Sequence, residues 1–319
     1  MLGIQEVRAA RAVVDRHLER SPLEHSPLLS AAFGVELHLK LEILRPTRSF
    51  KVRGALNRVS ALDTAAHARG VVTASGGNHG QGVAYAAHVL GTSAVIVMPE
   101  TVAPSIVEVC RAYGAEVRLR GAIYDDTVAL AHEIEREQGR TFVHPYGDPL
   151  VIAGQGTIGL EVLEDLADVD TVVVPVGGGG LLCGIAIAIK EGAPRPVRVI
   201  GVEPEGSDNF RRSVEAGHPV TLDAPASVAE RLVARSTEPL NVELARRYVD
   251  DLVTVDEGAI EAATREYLER LSLLVEPSGA ATLAAVRSGR VKPGRRTVLI
   301  VSGGNIPTHV LARILPGTN

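Results

Sequence analysis

The chain has 319 residues, of which 45% are hydrophobic and 22% charged, so it can form one large domain or two ordinary ones and is not disordered. A formal net charge of −5 gives no electrostatic basis for binding nucleic acid. No apolar run approaches the roughly 20 residues that span a bilayer, the N-terminus lacks a signal-peptide pattern, and two cysteines outside any CxxC pair fit a reducing cytoplasm.

Short runs rich in β-branched residues alternate with longer helical stretches along the chain. This alternation predicts an α/β fold with parallel sheets covered by helices on both faces. The predicted strands are Glu36–Glu42, Gly70–Ala74, Ala94–Met98, Glu116–Leu119, Thr171–Val176, Arg198–Val202, Asp251–Val255 and Thr297–Val301. The predicted helices are Gly54–Leu62, Gly80–Leu90, Ser105–Tyr113, Tyr124–Gln138, Gln155–Leu166, Leu181–Lys190, Ala259–Leu271 and Ala280–Arg287.

Two α/β units are visible in this pattern. The Pro- and Gly-containing segment 144–149 is the best boundary candidate, and the second unit needs the N-terminal arm to complete it. We therefore expect a large domain of residues 1–51 and 148–319 and a small domain of residues 52–147. The stretch from Arg212 to Asn241 is the least regular and is predicted to be a connecting loop.

Lys51 is the first candidate functional residue. The chain holds 33 Lys plus Arg, but the lysines are only Lys40, Lys51, Lys190 and Lys292. Arginine stays protonated, whereas a lysine amine that is made neutral can form a Schiff base with an aldehyde. Arg48 and Arg53 flank Lys51, and we expect both to lower its pKa. A surface lysine is the ordinary alternative.

A polar, glycine-containing segment follows the second predicted strand. Its residues 75–82 read Ser-Gly-Gly-Asn-His-Gly-Gln-Gly and lead into a helix. Exposed backbone N–H groups at a helix N-terminus suit a carboxylate. Asn78 alternatively serves as the N-cap of the helix, and both interpretations can hold together.

Four consecutive glycines, Gly177 to Gly180, stand between a predicted strand and a helix. Consecutive glycines let backbone N–H groups converge at a helix N-terminus, which is typical of a phosphate site. The spacing does not match the G-x-G-x-x-G pattern of dinucleotide sites, although Glu203 ends the next strand where a ribose partner would lie. A nicotinamide-dependent oxidoreductase is therefore an alternative, but it leaves Lys51 unexplained.

The last predicted strand ends at Ser302, where α/β proteins carry their sites. Together these segments resemble the serine/threonine dehydratase and serine racemase family, which comprises fold-type II pyridoxal-phosphate enzymes. The likeness runs from about Ser26 to Asn305. It rests on residues 46–51, 75–79, 177–180 and 302–305, with further matches at 144–145, 151–157, 201–204 and 276–280.

The resemblance implies two domains with pyridoxal 5'-phosphate in the cleft between them. It implies that Lys51 holds the cofactor covalently and moves the substrate Cα proton, with Ser75 and Asn78 also catalytic. It implies cofactor contacts by Phe50, Lys51, Asn78, Gly177, Gly178, Gly179, Gly180, Leu181, Glu276 and Ser302. The substrate carboxylate would be bound by the segment that contains Ser75, Gly76, Asn78, His79 and Gln81. Ser302 would pair with the pyridine nitrogen and leave it largely neutral, which favours elimination over transamination.

Departures from the family pattern bear on specificity. Arginine replaces the family's glycine at Arg48 and at Arg231, within Ala229-Glu230-Arg231. Either arginine is a surface or intersubunit residue, or it meets an extra substrate carboxylate. Gly76 stands where the racemases carry a second serine, so racemisation lacks its acid.

The family's divalent-metal site corresponds to Glu203, Ser207 and Asn209, which would bind Mg²⁺ or Ca²⁺ weakly because one charge is missing. Because the sequence ends soon after Ser302, we expect no regulatory extension like that of the biosynthetic dehydratases.

The resemblance implies a cytoplasmic homodimer or higher homo-oligomer that acts on a small amino acid, without nucleic acid or membrane as a partner. We expect a lyase that eliminates water from L-threonine or L-serine. Alternatives within the class are a serine racemase or a 3-hydroxyaspartate dehydratase. Outside it, besides the oxidoreductase, stands a catalytically silent binder of cofactor or amino acid.

Overall fold

The computed structural model describes residues 2–121 and 124–315. Its strands are β1 Leu23–His25, β2 Glu36–Leu41, β3 Val71–Ala74, β4 Ala94–Met98, β5 Glu116–Leu119, β6 Thr141–Phe142, β7 Thr171–Pro175, β8 Arg198–Pro204, β9 Asp251–Val255 and β10 Arg296–Val301. Its α-helices are α1 Ile4–Val14, α2 Pro27–Phe33, α3 Lys51–Ser60, α4 Thr64–Arg69, α5 Asn78–Leu90, α6 Pro104–Ala112, α7 Tyr124–Gln138, α8 Pro149–Asp165, α9 Gly180–Gly192, α10 Asn209–Ala216, α11 Pro239–Tyr248, α12 Glu257–Leu271, α13 Pro277–Arg287 and α14 Thr308–Ile314.

Two sheets organise these elements. One has six strands in the order β1-β2-β10-β7-β8-β9, parallel except for β1, which runs antiparallel to β2. The other has four parallel strands in the order β5-β4-β3-β6. The predicted α/β fold with parallel sheets flanked by helices is therefore confirmed.

Each sheet is buried on both faces. Along β7, Val172 and Val174 enter one apolar cluster and Val173 enters another. Along β4, Ile96 and Met98 face one cluster, whereas Val95 and Val97 face the other. This explains why the central strands are continuous apolar runs rather than alternating ones.

The four-stranded sheet lies within residues 71–142, and the N-terminal arm supplies two strands of the six-stranded sheet. The predicted domain bounds, 1–51 with 148–319 and 52–147, stay a prediction. Among the described residues, no helix is both long and apolar enough to cross a membrane.

The stretch 212–241 is less of a loop than the sequence predicted. Helix α10 extends into it to Ala216, residues 230–232 form a turn of 3-10 helix, and α11 begins at Pro239. Pro239 at the first position of α11 is a helix-start signal that the prediction did not use. Between α10 and α11 this stretch borders the site.

Candidate active site

A cleft of about 1110 Å³ lies where the loops that follow β3, β7 and β10 converge. Carboxyl ends of parallel strands are the usual place for a site in α/β proteins. The cleft lining includes most of the residues that the sequence singled out, namely Phe50, Lys51, Ser75, Gly76, Asn78, His79, Gly177, Gly178, Gly179, Gly180, Leu181, Glu276 and Ser302.

Lys51 is the first residue of α3, three residues before the predicted helix start. The segment before Lys51 is hydrogen-bonded to the residues that follow β10. The Phe50 N–H donates to the Ser302 carbonyl at 3.1 Å, and Ser49 forms an isolated antiparallel β-bridge with Gly303. The Lys51 Nζ donates to the Pro145 carbonyl at 2.7 Å. Burial lowers the pKa of Lys51 from 10.5 to about 8, so about a tenth of the amine is neutral at pH 7.

The flanking arginines do not cause this shift in pKa, so the expectation from the sequence is wrong on its cause. The Arg53 side chain is fully buried. It binds the carboxylates of Glu42 and Glu161 at 2.8 and 2.7 Å, which absorb its charge. Arg48 is exposed. Burial is the cause of the lowered Lys51 pKa.

The glycine loop is packed so tightly that side chains do not fit. A Cβ on Gly178 would lie 2.4 Å from the Tyr146 ring, and one on Gly179 would lie 2.1 Å from the Phe210 ring. Gly179 also has a φ of +92°, in the region that favours glycine. Helix α9 begins directly after it at Gly180, and the first N–H groups of a helix have no intrahelical partner. The loop is thus built to hold an anion.

The polar loop after β3 lines the same cleft. Helix α5 begins at Asn78, but its N-cap residue is Gly77, so the interpretation of Asn78 as the capping side chain is wrong. Instead, Asn78 Nδ2 donates to Glu276 Oε1 at 2.7 Å, and Asn305 Nδ2 donates to Asn78 Oδ1 at 2.8 Å. The Asn78 side chain is therefore held in one orientation at the cleft wall.

Glu276 is buried beside Asn78, and burial raises its pKa to about 7. Its second oxygen, Oε2, is buried and has no side-chain hydrogen-bond donor among the described residues. Ser302 directly follows β10 and also lines the cleft. The structure thus brings Lys51, Asn78, Glu276 and Ser302 to one cleft.

Two residues of the predicted carboxylate site differ in position. His79 lines the cleft, and its Nε2 is 2.9 Å from the Val143 carbonyl oxygen. Burial, together with the Lys51 charge, lowers the pKa of His79 to about 3, so the ring is neutral. Gln81 lies further along α5, is buried and is not part of the cleft lining.

Three further residues have no role in the sequence prediction. The Tyr146 ring covers Gly178, and Asn241 Nδ2 donates to the carbonyls of both residues at 3.1 and 2.6 Å. His144 Nδ1 accepts from the Gly147 N–H at 2.7 Å, and burial lowers its pKa to about 4. The motif at 144–145 marked this segment, but the apolar pattern of the sequence carries no signal for a ring on a glycine loop.

The residues of the cleft fit pyridoxal phosphate. The amine of Lys51 suits the aldehyde, and the glycine loop at the start of α9 suits the phosphate. The Ser302 hydroxyl is free to meet the ring nitrogen, since no described residue binds it. These assignments agree with the roles implied by the resemblance and remain predictions.

The residues of the implied metal site lie outside the cleft lining. Both oxygens of Glu203 accept hydrogen bonds from the first turn of α10, from the N–H groups of Phe210 and Arg211 at 2.9 and 2.8 Å. Asn209 Nδ2 donates to the Ala234 carbonyl at 2.8 Å. Ser207 Oγ is 3.5 Å from the Leu232 carbonyl. No three His, Cys, Asp or Glu side chains gather around a metal position in the parts of the chain that the structure describes.

The position of Glu203 also removes the support for a nicotinamide enzyme, because its carboxylate caps α10 instead of facing the cleft.

The two arginines that depart from the family pattern lie in different places. Arg48 is exposed and does not line the cleft, whereas Arg231 does.

Comparisons with known proteins agree with this site. The chain is 41% identical over 315 residues to an L-threonine ammonia-lyase of Thermotoga maritima, a match that covers 99% of this chain and 78% of that protein. It is 39% identical over 316 residues to the catabolic L-threonine dehydratase TdcB of Escherichia coli K12, a match that covers 98% of this chain and 96% of that protein. The structure of a T.th. threonine deaminase has a TM-score of 0.90 at 42% identity, covering 96% of this chain and 99% of that one. The structure of a maize serine racemase has a TM-score of 0.93 at 36% identity, covering 98% of this chain and 96% of that one.

The family model described as "Pyridoxal-phosphate dependent enzyme" matches residues 14–303. The matched region includes Lys51, the polar loop after β3, the glycine loop and Ser302. This match confirms the resemblance that the motifs predicted. The chain belongs to the pyridoxal-phosphate-dependent enzyme family.

Proposed function

We propose that this protein is an ammonia-lyase that acts on L-threonine or L-serine and yields 2-oxobutanoate or pyruvate together with ammonia. The observation that carries the proposal is that Lys51 and Ser302, the glycine loop and the polar loop after β3 all line one cleft. The names of the similar proteins from Thermotoga maritima and Escherichia coli support the same reaction.

When bound, pyridoxal phosphate supplies an electron-withdrawing ring that stabilises negative charge at the substrate Cα. The glycine loop at the start of α9 would hold its phosphate, and Ser302 would pair with its ring nitrogen. A serine donates or accepts a hydrogen bond without carrying charge, so it does not hold a proton on the ring.

Lys51 would move the proton. Its pKa of about 8 lets the amine accept a proton near neutral pH and return it later. Lys51 Nζ donates to the Pro145 carbonyl, which limits where the amine can point. The Cα proton and the β-hydroxyl would leave as water, and addition of water would release ammonia. The overall reaction is redox-neutral and needs no second substrate.

The loop after β3 would bind the substrate carboxylate. It offers N–H groups at the start of α5, and the Asn78 side chain is held in place by Glu276 and Asn305. His79 is neutral, so it contributes no positive charge to this site. Backbone N–H groups and the helix N-terminus would therefore bind the carboxylate.

Racemisation is the competing reaction, since a maize serine racemase has a similar structure. Gly76 lines the cleft and has no hydroxyl that could return a proton to the second face. We expect pyruvate from L-serine to exceed D-serine by about a hundredfold, given the usual range of general-acid contributions. Chiral chromatography beside a 2-oxo acid assay measures both products. D-serine formed as fast as pyruvate would refute the assignment, and no 2-oxo acid from either substrate would refute the function.

We also propose that the activity needs no added Mg²⁺ or Ca²⁺. Asn209 Oδ1 is a buried oxygen without a partner, but both Glu203 oxygens are taken by backbone N–H groups of α10. A cation there would meet one carboxylate that already caps a helix. Dialysis against EDTA should leave kcat/KM unchanged. Loss of activity that Mg²⁺ or Ca²⁺ restores would contradict this.

We propose a cytoplasmic location, because Cys110 and Cys183 are both free and buried.

We propose a homodimer or higher homo-oligomer, which rests on the family resemblance alone. Light scattering of the holoenzyme tests the assembly. A monomer at micromolar concentration would contradict it.

A further inference from the structure

The cleft contains a guanidinium group that the proposed reaction does not use. Arg231 lines the cleft and is only partly buried. Its Nη1 lies 3.3 Å from the Gly76 carbonyl oxygen, and among the described residues no other hydrogen bond or ion pair engages the guanidinium. Its charge acts on Glu276 at longer range, where it opposes the effect of burial on the pKa of that carboxyl group. A cation with spare donors beside a substrate-binding loop requires an explanation.

The backbone of Arg231 is fixed at the cofactor side of the cleft. Its N–H is 3.1 Å from Ser278 Oγ, and its carbonyl oxygen would be 3.4 Å from a Cβ on Gly177, the first residue of the glycine loop. The side chain then reaches the loop after β3, where the guanidinium carbon would be 2.7 Å from a Cβ on Gly77. Arg231 therefore spans the space between the two loops that would hold cofactor and substrate.

The other lysine and arginine side chains that line the cleft have a proposed role or a partner. Lys51 would carry the cofactor. Arg235 forms an ion pair with Asp125 at 2.5 Å. The histidines His79 and His144 have lowered pKa values and are neutral. Arg231 is therefore the arginine of the cleft lining whose guanidinium has no carboxylate partner among the described residues.

We propose that Arg231 binds a second carboxylate on the substrate, so that the preferred substrate is a 3-hydroxy amino acid with an acidic side chain, such as 3-hydroxyaspartate. This inference rests on the elimination reaction proposed above. Guanidinium binds carboxylate through two parallel N–H donors, and Arg231 has donors to spare. Elimination from 3-hydroxyaspartate would release water, and the later addition of one water molecule would release ammonia and leave oxaloacetate, so the overall reaction is again redox-neutral.

The first test compares turnover of 3-hydroxyaspartate, L-threonine and L-serine by the holoenzyme. The acidic substrate should have the highest kcat/KM, by about tenfold or more, as expected for charge-assisted hydrogen bonds. In the Arg231→Gly variant the order should reverse, because kcat/KM for the acidic substrate should fall by a larger factor than kcat/KM for L-threonine. Arg48→Gly is the matched control, because it makes the same change outside the cleft and should keep the wild-type order.

The second test measures binding without turnover. L-Aspartate and L-2-aminobutyrate both lack a β-hydroxyl, and their dissociation constants follow from changes in the cofactor absorption. L-Aspartate should bind about tenfold more tightly than L-2-aminobutyrate to the wild type and not to Arg231→Gly. Arg231→Lys keeps the charge and should retain part of the preference.

The outcomes distinguish a failure of the proposed elimination reaction from a failure of the proposed role of Arg231. If no 2-oxo acid forms from any of the three substrates, the elimination reaction is wrong, and the binding test still decides the role of Arg231. If L-threonine is the better substrate of the wild type, or if Arg231→Gly weakens both ligands equally, Arg231 only ties the two loops together through Gly76 and the inference is overturned.

Discussion

We predict that Ser302 pairs with the ring nitrogen of the bound cofactor, where its hydroxyl cannot hold a proton as a carboxylate would. In a Ser302→Asp variant the nitrogen should be protonated, and the ring should withdraw electrons more strongly. Transamination should then grow relative to elimination. Chromatography of the cofactor after turnover measures pyridoxamine phosphate, and the 2-oxo acid assay measures elimination. An unchanged ratio of the two would mean that Ser302 is not the partner of the ring nitrogen.

Arg48 illustrates a departure from the family pattern that has a backbone consequence. Its φ is +55°, a conformation that costs most side chains about 1–2 kcal/mol and glycine little. The gain for Arg48→Gly is reduced by the greater freedom of glycine in the unfolded chain, by about 0.5–1 kcal/mol. We expect the variant to be more stable by about 0.5 kcal/mol, with unchanged activity. Urea unfolding tests this, and a loss of more than about 1 kcal/mol would contradict it.

At the scale of elements, a buried ionic cluster fixes α3, and hence Lys51, against β2 and α8. Arg53 binds Glu42 and Glu161, and Lys40 Nζ lies 2.7 Å from Glu161 Oε2. Burial alone would raise the pKa of Glu161, but Arg53 and Lys40 outweigh it and lower the pKa to about 2. Two cations and two carboxylates compensate one another there.

Arg53→Met should break this balance. The side chain volume is roughly kept, but Glu42 would lose its ion-pair partner and Glu161 would keep only Lys40. Removing one partner of a buried ion pair costs about 3–5 kcal/mol. Urea unfolding at pH 7 should show this loss, whereas the exposed pair Arg290–Glu205 is a control whose removal by Arg290→Met should cost below about 1 kcal/mol. Equal losses in both variants would argue against a structural role of the cluster.

Sequence patterns predicted the central strands and most helices, because these are long apolar runs whose period is clear. They missed β1 and β6, which have three and two residues. These short segments are strands because they pair with a neighbouring strand. They also did not predict that Arg53 binds the carboxylates of Glu42 and Glu161. Proximity to Lys51 in sequence suggested an effect on its pKa, but residues two apart on a helix face different sides.

The candidate site was predictable where chemistry needs unusual residue types, as at Lys51 and in the glycine loop. It was not predictable where residues distant in sequence meet. The contact of Tyr146 with Gly178 and the bond of Asn78 to Glu276 depend on how the two sheets are placed. The free donors of Arg231 likewise follow from its neighbours and not from its type.

At the scale of the whole molecule, buried carboxyl groups make stability depend on pH. Burial raises the pKa of Glu203 to about 8 despite its two backbone donors, against about 4.5 in the unfolded chain. The folded state therefore binds more protons than the unfolded state between these values, and this contribution to stability falls as pH rises from about 4.5 to 8. The sign is opposite for Glu161, whose stabilising contribution is lost only as pH falls from about 4.5 towards 2.

Glu203→Gln removes the titrating group and leaves other groups unchanged, so the difference from wild type isolates its effect. The free energy of unfolding of the wild type should fall relative to the variant by about 1–3 kcal/mol between pH 5 and pH 8. Urea unfolding of both proteins at the two pH values measures it. A difference that is independent of pH, or that grows in favour of the wild type, would show that Glu203 is ionised throughout.

We propose that Lys51 carries pyridoxal phosphate in the cleft. Borohydride reduction of the purified holoenzyme, followed by peptide mass spectrometry, tests it most directly. We expect the reduced cofactor on the peptide that contains Lys51, and no label on a folded Lys51→Ala variant whose glycine loop is intact. Label on Lys40, Lys190 or Lys292, or unchanged label on the variant, would contradict the account.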